Sequence, residues 1–143
     1  MKHFSVVIVG AGPSGLCLSY HLKEKGIDHI IIEKKEILHT WKNERWDSFD
    51  LVTPNWMTLL PETEKIIPKN NEFMSKNQIV NSLEKFAKEV NPNVLEHTVI
   101  SNISLEDELY YIKTDKGNFT ANNVIISVGL FNNKKIPLPE FDT

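Results

Sequence analysis

The stretch that decides the fold reads Phe4-Ser5-Val6-Val7-Ile8-Val9-Gly10-Ala11-Gly12-Pro13-Ser14-Gly15. Its first half is apolar and β-branched, which is typical of a parallel strand buried on both faces. Its second half is a G-x-G-x-x-G motif, in which a tight turn leads directly into a helix. Leu18 and Leu22 continue that helix one turn apart, and Gly26 is placed to end it. A second apolar run at 29–33 then completes a βαβ unit.

This context gives the glycine motif a chemical meaning. Gly10 permits the tight turn, Gly12 lets a pyrophosphate approach the backbone, and Gly15 lets the helix pack closely on the strand. The N-terminus of the helix offers free N–H groups to the phosphates, and Ser14 adds a hydroxyl. Glu33 lies 18 residues after Gly15 at the end of the second strand, where an acid can bind ribose hydroxyls. The pattern predicts a dinucleotide site.

The βαβ unit alone does not decide which dinucleotide binds. Glu33 disfavours a ribose 2′-phosphate because it would add a second negative charge beside the first. Lys34 and Lys35 partly offset that effect. NADP is therefore disfavoured at this site, while NAD and FAD both fit.

Composition excludes several function classes. The chain has 143 residues with 41% hydrophobic and 24% charged residues, as expected for about one globular domain. Its net charge of −3 gives no electrostatic case for a nucleic-acid or anionic-membrane partner. Cys17 is the only cysteine and the five histidines show no metal spacing, so we expect no disulfide, no metal site and a cytoplasmic setting. No apolar run approaches the roughly 20 residues of a membrane span.

The remainder of the chain departs from simple βα alternation. Residues 34–74 have no clean period and contain all three tryptophans. Ser75 and Gln78 form a predicted capping box for a helix with one apolar stripe, which Asn91 and Pro92 end. Four short strands are then predicted at 94–100, 109–114, 117–121 and 124–128, with a hairpin turn at 115–118 and a last strand buried on both faces.

This order resembles the FAD-binding domain of flavoproteins that have two dinucleotide-binding domains. There a small β-meander precedes a strand carrying an Ala-Thr-Gly-like motif, and Ser127-Val128-Gly129 stands at that position, with Pro137 and Pro139 following. The string from Trp41 to Trp56, WKNERWDSFDLVTPNW, is most similar to the flavin-containing monooxygenase-like family. The resemblance implies an α/β, Rossmann-like fold with a parallel sheet and a meander insert. We expect one FAD-binding domain over 1–143, truncated before an NADPH-binding domain.

The resemblance also adds cofactor-binding residues to those of the glycine motif. Trp41 and Arg45 are implied to lie beside the flavin, Leu51 and Thr53 to line it, and the backbone of Val99 to reach the adenine. An ion pair remains an alternative role for Arg45, and periodicity alone makes Val99 a core strand residue. With the glycine motif, the full predicted set is Gly10, Gly12, Pro13, Ser14, Gly15, Glu33, Lys34, Trp41, Arg45, Leu51, Thr53, Val99 and Gly129.

Two departures from related proteins bear on the chemistry. The related disulfide reductases carry a Cys-x-x-x-x-Cys pair soon after the segment ending in Glu33, and this chain has no cysteine there. Thiol–disulfide chemistry on this polypeptide is thereby excluded. The monooxygenase pattern has Gly-Gly where this chain has Leu38-His39, which predicts altered geometry near Thr40 and Trp41.

The implied function is that of the FAD-binding portion of an NAD(P)H-dependent monooxygenase or oxidoreductase acting on a small organic substrate. In that family NADPH reduces the flavin, and the reduced flavin activates oxygen. The chain carries one dinucleotide motif, so we expect little turnover by the isolated chain. The alternatives are a non-enzymatic FAD-binding module that needs a partner chain and a small NAD-binding protein.

Overall fold

A computed structural model describes residues 1–130 of the chain, with the side chain of residue 64 left out. The predicted residues Pro137 and Pro139 and the end of the predicted domain lie outside this range. In chain order the elements are β1 (Lys2–Val9), α1 (Pro13–Glu24), β2 (His29–Ile32), α2 (His39–Asn43), α3 (Lys76–Val90), β3 (Val94–Leu95), β4 (Ile100–Glu106), β5 (Leu109–Thr114) and β6 (Gly117–Ile126). Two 3₁₀ turns, Asn55–Met57 and Thr63–Lys65, lie between α2 and α3.

The strands form one six-stranded sheet in the order β3-β2-β1-β6-β5-β4. The pairs β1–β2, β1–β6 and β2–β3 are parallel, and β4, β5 and β6 form an antiparallel meander. β1 is flanked on both sides by parallel strands, which explains its almost continuous apolar sequence. The predicted α/β, Rossmann-like class is confirmed.

The helix ends follow the predicted local signals. Pro13 occupies the first turn of α1, and Gly26 ends that helix at φ +64°. The Ile27 N–H donates to the Leu22 carbonyl at 2.9 Å, which closes the glycine cap. At α3 the capping box is present: the Ser75 N–H donates to Gln78 Oε1 at 2.9 Å.

Two apolar cores lie on opposite faces of the sheet because successive strand residues point to opposite sides. One contains Ile8 and Ile31 together with residues of α1, α3 and the 34–74 segment. The other contains Val7 and Ile30 together with Ile112 and other residues of the meander. β1 and β2 therefore contribute to both cores.

The 34–74 segment is irregular, as predicted, yet it is anchored. The Leu51 N–H donates to the Met74 carbonyl at 2.9 Å, and the Asn55 N–H donates to the Glu72 carbonyl at 2.9 Å. Ile67 is buried in the core beneath this segment. The two anchors fold residues 51–74 back on themselves against α3.

The predicted strands need three corrections. The run 94–100 is not one strand: β3 ends at Leu95, and β4 begins at Ile100 on the far edge of the sheet, because His97 adopts φ +51° and turns the chain. β4 itself extends to Glu106, beyond the predicted limit. The runs 117–121 and 124–128 form one strand, β6, since the polar residues between them stay in register with β1. The strand at 109–114 and its hairpin turn, with Gly117 at φ +127°, are confirmed.

The end of β6 was predicted to be buried on both faces, and this is wrong. Ile125 and Ile126 point to opposite faces, yet they are 42% and 60% exposed, and Val128 is also exposed. Among residues 1–130, the core formed by α1 and α3 packs over β1 and β2 and includes no buried β6 residue, and the other core reaches β6 mainly at Phe119 and Ala121. Strand propensity thus predicted the element but not its covering layer.

No helix among residues 1–130 is long and apolar enough to cross a membrane.

Candidate functional site

The glycine turn is built by close backbone approach at its first and last glycines. Gly10 adopts φ +102°, and a Cβ placed on it would lie 2.7 Å from the carbonyl oxygen of Ser127. A Cβ on Gly15 would collide with the carbonyl oxygen of Gly10. Both positions therefore require glycine for the polypeptide itself, whether or not a ligand is bound.

Gly12 is different because nothing in the protein requires a glycine there. Its φ of −80° is available to any residue, and a Cβ on it would meet no atom within 4 Å. The amides of Gly12 and Ser14 have no acceptor among the hydrogen bonds of residues 1–130, and both precede the first turn of α1 or lie in it. An open space faced by free N–H groups at a helix N-terminus fits the phosphates of a dinucleotide. Pro13 borders this space at the first helical position.

Glu33 is held against the glycine turn by two backbone amides. The Ala11 N–H donates to Glu33 Oε2 at 2.8 Å, and the Lys35 N–H donates to Oε1 at 2.9 Å. Each carboxylate oxygen keeps a further acceptor position, since an ionised carboxylate offers about four in total. The structure thus brings Glu33 next to the turn, as a ribose-binding acid requires.

Further tethers fix the turn from two distant parts of the chain. The Leu38 N–H donates to the Ala11 carbonyl at 3.1 Å. The Ser127 hydroxyl lies 2.9 Å from the carbonyl oxygens of both Val9 and Gly10. Neither the role of Leu38 nor that of Ser127 follows from the predicted motifs. The departures from Gly-Gly and Ala-Thr-Gly, at Leu38 and Ser127, were the available signals.

Lys34 lies beside Glu33 at the surface, within a charged cluster that extends to α2. Lys35 Nζ bonds Glu44 Oε1 at 2.8 Å and His39 Nε2 at 3.0 Å. The Lys35 hydrogen bond holds the pKa of Glu44 below its usual value, and hydrogen bonds from Asn43 and then His39 lower the pKa of Glu36. His39 is therefore occupied by structural contacts that join α2 to the end of β2.

Arg45 stacks on aromatic rings. Its guanidinium carbon lies 4.8 Å from the ring centre of Trp41 and 5.2 Å from that of Phe49. Trp46 packs edge-on against Phe49 but is 60% exposed, and Trp56 is half exposed. The irregular segment thus places Trp46 and Trp56 at the surface rather than in the core.

The remaining predicted residues lie in different local surroundings. Leu51 is buried in the core with Ala11, and Thr53 contacts Thr58 through their hydroxyls at 3.4 Å. Gly129 adopts φ +73° with open space around it. The flavin-lining roles of Leu51 and Thr53 and the assignment of Gly129 to the cofactor site stay predictions.

Val99 follows Thr98, whose N–H donates to the Glu33 carbonyl at 2.9 Å, so it lies near the acid. Its own N–H donates to Asp115 Oδ1 and its carbonyl accepts from the Asp115 N–H. It is half exposed and precedes β4, so the alternative of a core strand residue is wrong. Its contact with the adenine stays a prediction.

A shallow groove of about 470 Å³ runs along α1 from the glycine turn. Cys17 lies in it, and burial raises the pKa of its thiol, as expected for an inert packed cysteine. No group of three potential metal ligands occurs within the described part of the chain.

Residues 7–140 match the family described as pyridine nucleotide-disulphide oxidoreductase. The chain belongs to this family. The match includes the end of β1, the glycine turn and every other predicted cofactor-binding residue. The resemblance to flavoproteins that was drawn from the motifs is therefore confirmed.

Individual relatives agree with this assignment. The chain is 32% identical over 139 residues to an uncharacterized oxidoreductase CzcO-like protein of Geobacillus kaustophilus, covering 96% of this chain and 39% of that protein. The fold is similar to that of a flavin-containing monooxygenase from Stenotrophomonas maltophilia, with a TM-score of 0.84 and 21% identity over 96% of this chain and 42% of the other. It is also similar to OTEMO in complex with FAD and NADP, with a TM-score of 0.80 and 19% identity over 94% of this chain and 27% of the other.

The chain thus spans about two fifths of the length of the CzcO-like relatives that it matches.

Proposed function

We propose that this chain is the FAD-binding part of an NAD(P)H-dependent flavoprotein oxidoreductase of the monooxygenase type. The observation that carries the proposal is Gly12, where a side chain would meet no protein atom and yet the chain has glycine. A residue type that the fold does not need is explained by a ligand that approaches the backbone there. The family membership and the resemblance of the 41–56 segment to flavin-containing monooxygenases support FAD as that ligand.

Different residues of the site bind different parts of the cofactor. The free amides of Gly12 and Ser14 face the diphosphate, and Glu33 accepts hydrogen bonds from the ribose hydroxyls of the adenosine half. Trp41 lies three residues after Leu38, which is bonded to the glycine turn, and Arg45 stacks on its ring. These two side chains line the flavin half of the cofactor site. When bound, FAD supplies the redox chemistry, and the protein orients it and excludes water from it.

The negative charge of Glu33 supports FAD over NADP at this site. NADPH would then be bound elsewhere as the reductant, in agreement with the complex of OTEMO, which contains both FAD and NADP. Because relatives are more than twice as long, we assign the NADPH site and the site of the small organic substrate to a further domain or partner chain.

The experiment is to purify the 143-residue chain and to titrate it with FAD, following the fluorescence and the visible spectrum of the flavin. The matched variant is Gly12→Ala, whose methyl group enters the open space without touching the protein. We expect wild type to bind FAD, and Gly12→Ala to keep the unfolding temperature while losing about 10-fold or more in affinity. That factor corresponds to about 1.4 kcal/mol.

Two results would contradict a flavin site at the glycine turn. A folded wild-type chain that neither retains nor takes up FAD excludes a flavin site in this polypeptide. Equal FAD affinities of wild type and Gly12→Ala would place the ligand away from the glycine turn. FAD binding without NADPH oxidation, even when the homologous remainder of a relative is added, would favour the alternative of a non-enzymatic binding module.

A further inference from the structure

The peptide unit between Gly10 and Ala11 is held at both of its ends. Its carbonyl oxygen lies 2.9 Å from the hydroxyl of Ser127, and its N–H donates to Glu33 Oε2 at 2.8 Å. A peptide unit is planar, so these two contacts together fix its rotation about the chain axis. The strand-end residue Ser127 and the acid at the end of β2 thus hold one peptide from opposite sides.

The Gly10 carbonyl depends on Ser127 more than the Val9 carbonyl does. The hydroxyl has a single proton and lies 2.9 Å from both oxygens. The Val9 oxygen also accepts the Ser127 N–H at 2.8 Å. Among residues 1–130, the hydroxyl is the only hydrogen-bond donor to the Gly10 oxygen. Since Gly10 is buried, removal of the hydroxyl would leave that oxygen unsatisfied, which is costly.

The orientation of this peptide matters for an anionic ligand. With its oxygen turned toward Ser127, its N–H faces Glu33, and the neighbouring amide of Gly12 is left free at the mouth of α1. Rotation of the peptide would break the Ala11–Glu33 bond and would turn the Gly10 carbonyl dipole toward the Glu33 carboxylate. Both changes weaken binding of a diphosphate, because its site depends on amide groups set in place before the ligand arrives.

We propose that Ser127 is a positioning residue for the dinucleotide diphosphate, which it holds in register indirectly by orienting the Gly10–Ala11 peptide. The inference rests on the proposed dinucleotide function. It assigns a role to the position at which this chain has serine where the resembled motif has alanine. The hydroxyl thereby adds a contact that an alanine could not make.

The first test compares Ser127→Ala with Ser101→Ala in the 143-residue chain. Ser101 is a matched control, because its hydroxyl also donates to a backbone carbonyl, that of Lys113 at 3.2 Å, but in the meander. FAD and ADP are titrated separately into each protein. We expect Ser127→Ala to lose about 10-fold in affinity for both ligands, and Ser101→Ala to stay within about twofold. Ser127→Thr, which keeps the hydroxyl, should restore most of the affinity.

The second test needs no ligand. The hydrogen exchange of the Ala11 amide is followed by NMR and is compared with that of Val7 in the centre of β1. We expect Ser127→Ala to accelerate exchange at Ala11 much more than at Val7, whereas a general loss of stability would accelerate both. If Ser127→Ala does not fold, Ser127→Cys replaces it, because a thiol is a weak donor of similar shape.

The outcomes separate this inference from the function on which it rests. Unchanged FAD and ADP affinity, or unchanged relative exchange at Ala11, overturns the role of Ser127 even if wild type binds FAD tightly. If wild type binds neither ligand, the proposed function fails, and the exchange of Ala11 alone decides whether Ser127 holds the turn.

Discussion

At the scale of single residues, Leu38 combines a favourable and an unfavourable feature. Its side chain is 2% exposed and belongs to the core under α1. Its backbone adopts φ +62° and ψ +19°, a left-handed conformation that costs a non-glycine residue roughly 1–2 kcal/mol. The resembled family has glycine at this point, and the structure keeps the glycine conformation with a leucine. Burial of the side chain offsets the backbone strain.

This balance predicts that Leu38→Gly is more stable than Leu38→Ala, which is the reverse of their order in an ordinary helix. Leu38→Ala loses the buried side chain and keeps the strain, so it should destabilise the chain by about 2–5 kcal/mol. Leu38→Gly loses the same side chain but removes the strain, so it should be about 1 kcal/mol more stable than Leu38→Ala. Urea denaturation measures both. If glycine is the less stable variant, as in an ordinary helix, the left-handed strain is not present.

At the scale of elements, α3 offers a test of its capping box. The Ser75 side chain accepts from the backbone of the third helical residue, Gln78, while the Gln78 side chain accepts the Ser75 N–H. Ser82 lies inside the same helix, and its hydroxyl donates to the Gln78 carbonyl at 2.9 Å. Serine therefore plays a capping role at one position and an unfavourable helix-interior role at the other.

Ser75→Ala should destabilise the chain by about 1 kcal/mol, because it leaves an N–H group of the first turn without its acceptor. Ser82→Ala should be neutral or slightly stabilising, because alanine has the higher helix propensity and no carbonyl loses its helical partner. The free energy of unfolding of each variant, from denaturant titration, gives the comparison. Equal losses at the two positions would contradict the capping interpretation.

The helix ends were predicted correctly because their sequence signals are local. The helix ends at Gly26, Ser75 and Asn91 depend on residues within one turn of the boundary, and all three lie where the sequence places them. The division of 94–106 between two edges of the sheet depends on the left-handed His97. A histidine in that conformation has no reliable signal in a single sequence, because only the tertiary fold selects it.

The residues of the site likewise fall into those that a local pattern predicts and those that depend on the tertiary fold. Gly10, Gly12, Gly15 and Glu33 lie within 24 residues and follow from one βαβ unit, so the sequence predicts their meeting. Ser127 contacts Gly10 across 117 residues of chain. That contact is determined by the pairing of β6 with β1, which no local pattern encodes, although the resemblance placed a motif at 127–129.

At the scale of the whole molecule, the 34–74 segment presents large apolar side chains to solvent. Val52 is 90% exposed and Phe73 is 55% exposed, and Trp56 and Met57 follow on the same folded-back segment. The hydrogen bond between the backbones of Leu51 and Met74 brings Val52 and Phe73 onto adjoining stretches. Exposed apolar surface of this kind promotes association.

The double variant Val52→Lys and Phe73→Lys should leave the free energy of unfolding within about 0.5 kcal/mol of wild type, because neither side chain is buried. It should also lower the light scattering of concentrated solutions relative to wild type. A matched variant with Lys at the buried Ile67 should unfold. A large loss of stability in the double variant would show that these residues pack in solution.

The pairing of β1 with β6 also sets an order of events during synthesis. A ribosome adds about 5–20 residues per second, so about 6–23 seconds separate the appearance of Gly10 from that of Ser127. During that interval the edge of β1 that pairs with β6 has no neighbouring strand, and the carbonyl oxygens of Val9 and Gly10 lack their contacts with Ser127. We therefore expect the glycine turn to reach its final conformation, and a ligand of that turn to bind, only after β6 has emerged and paired with β1.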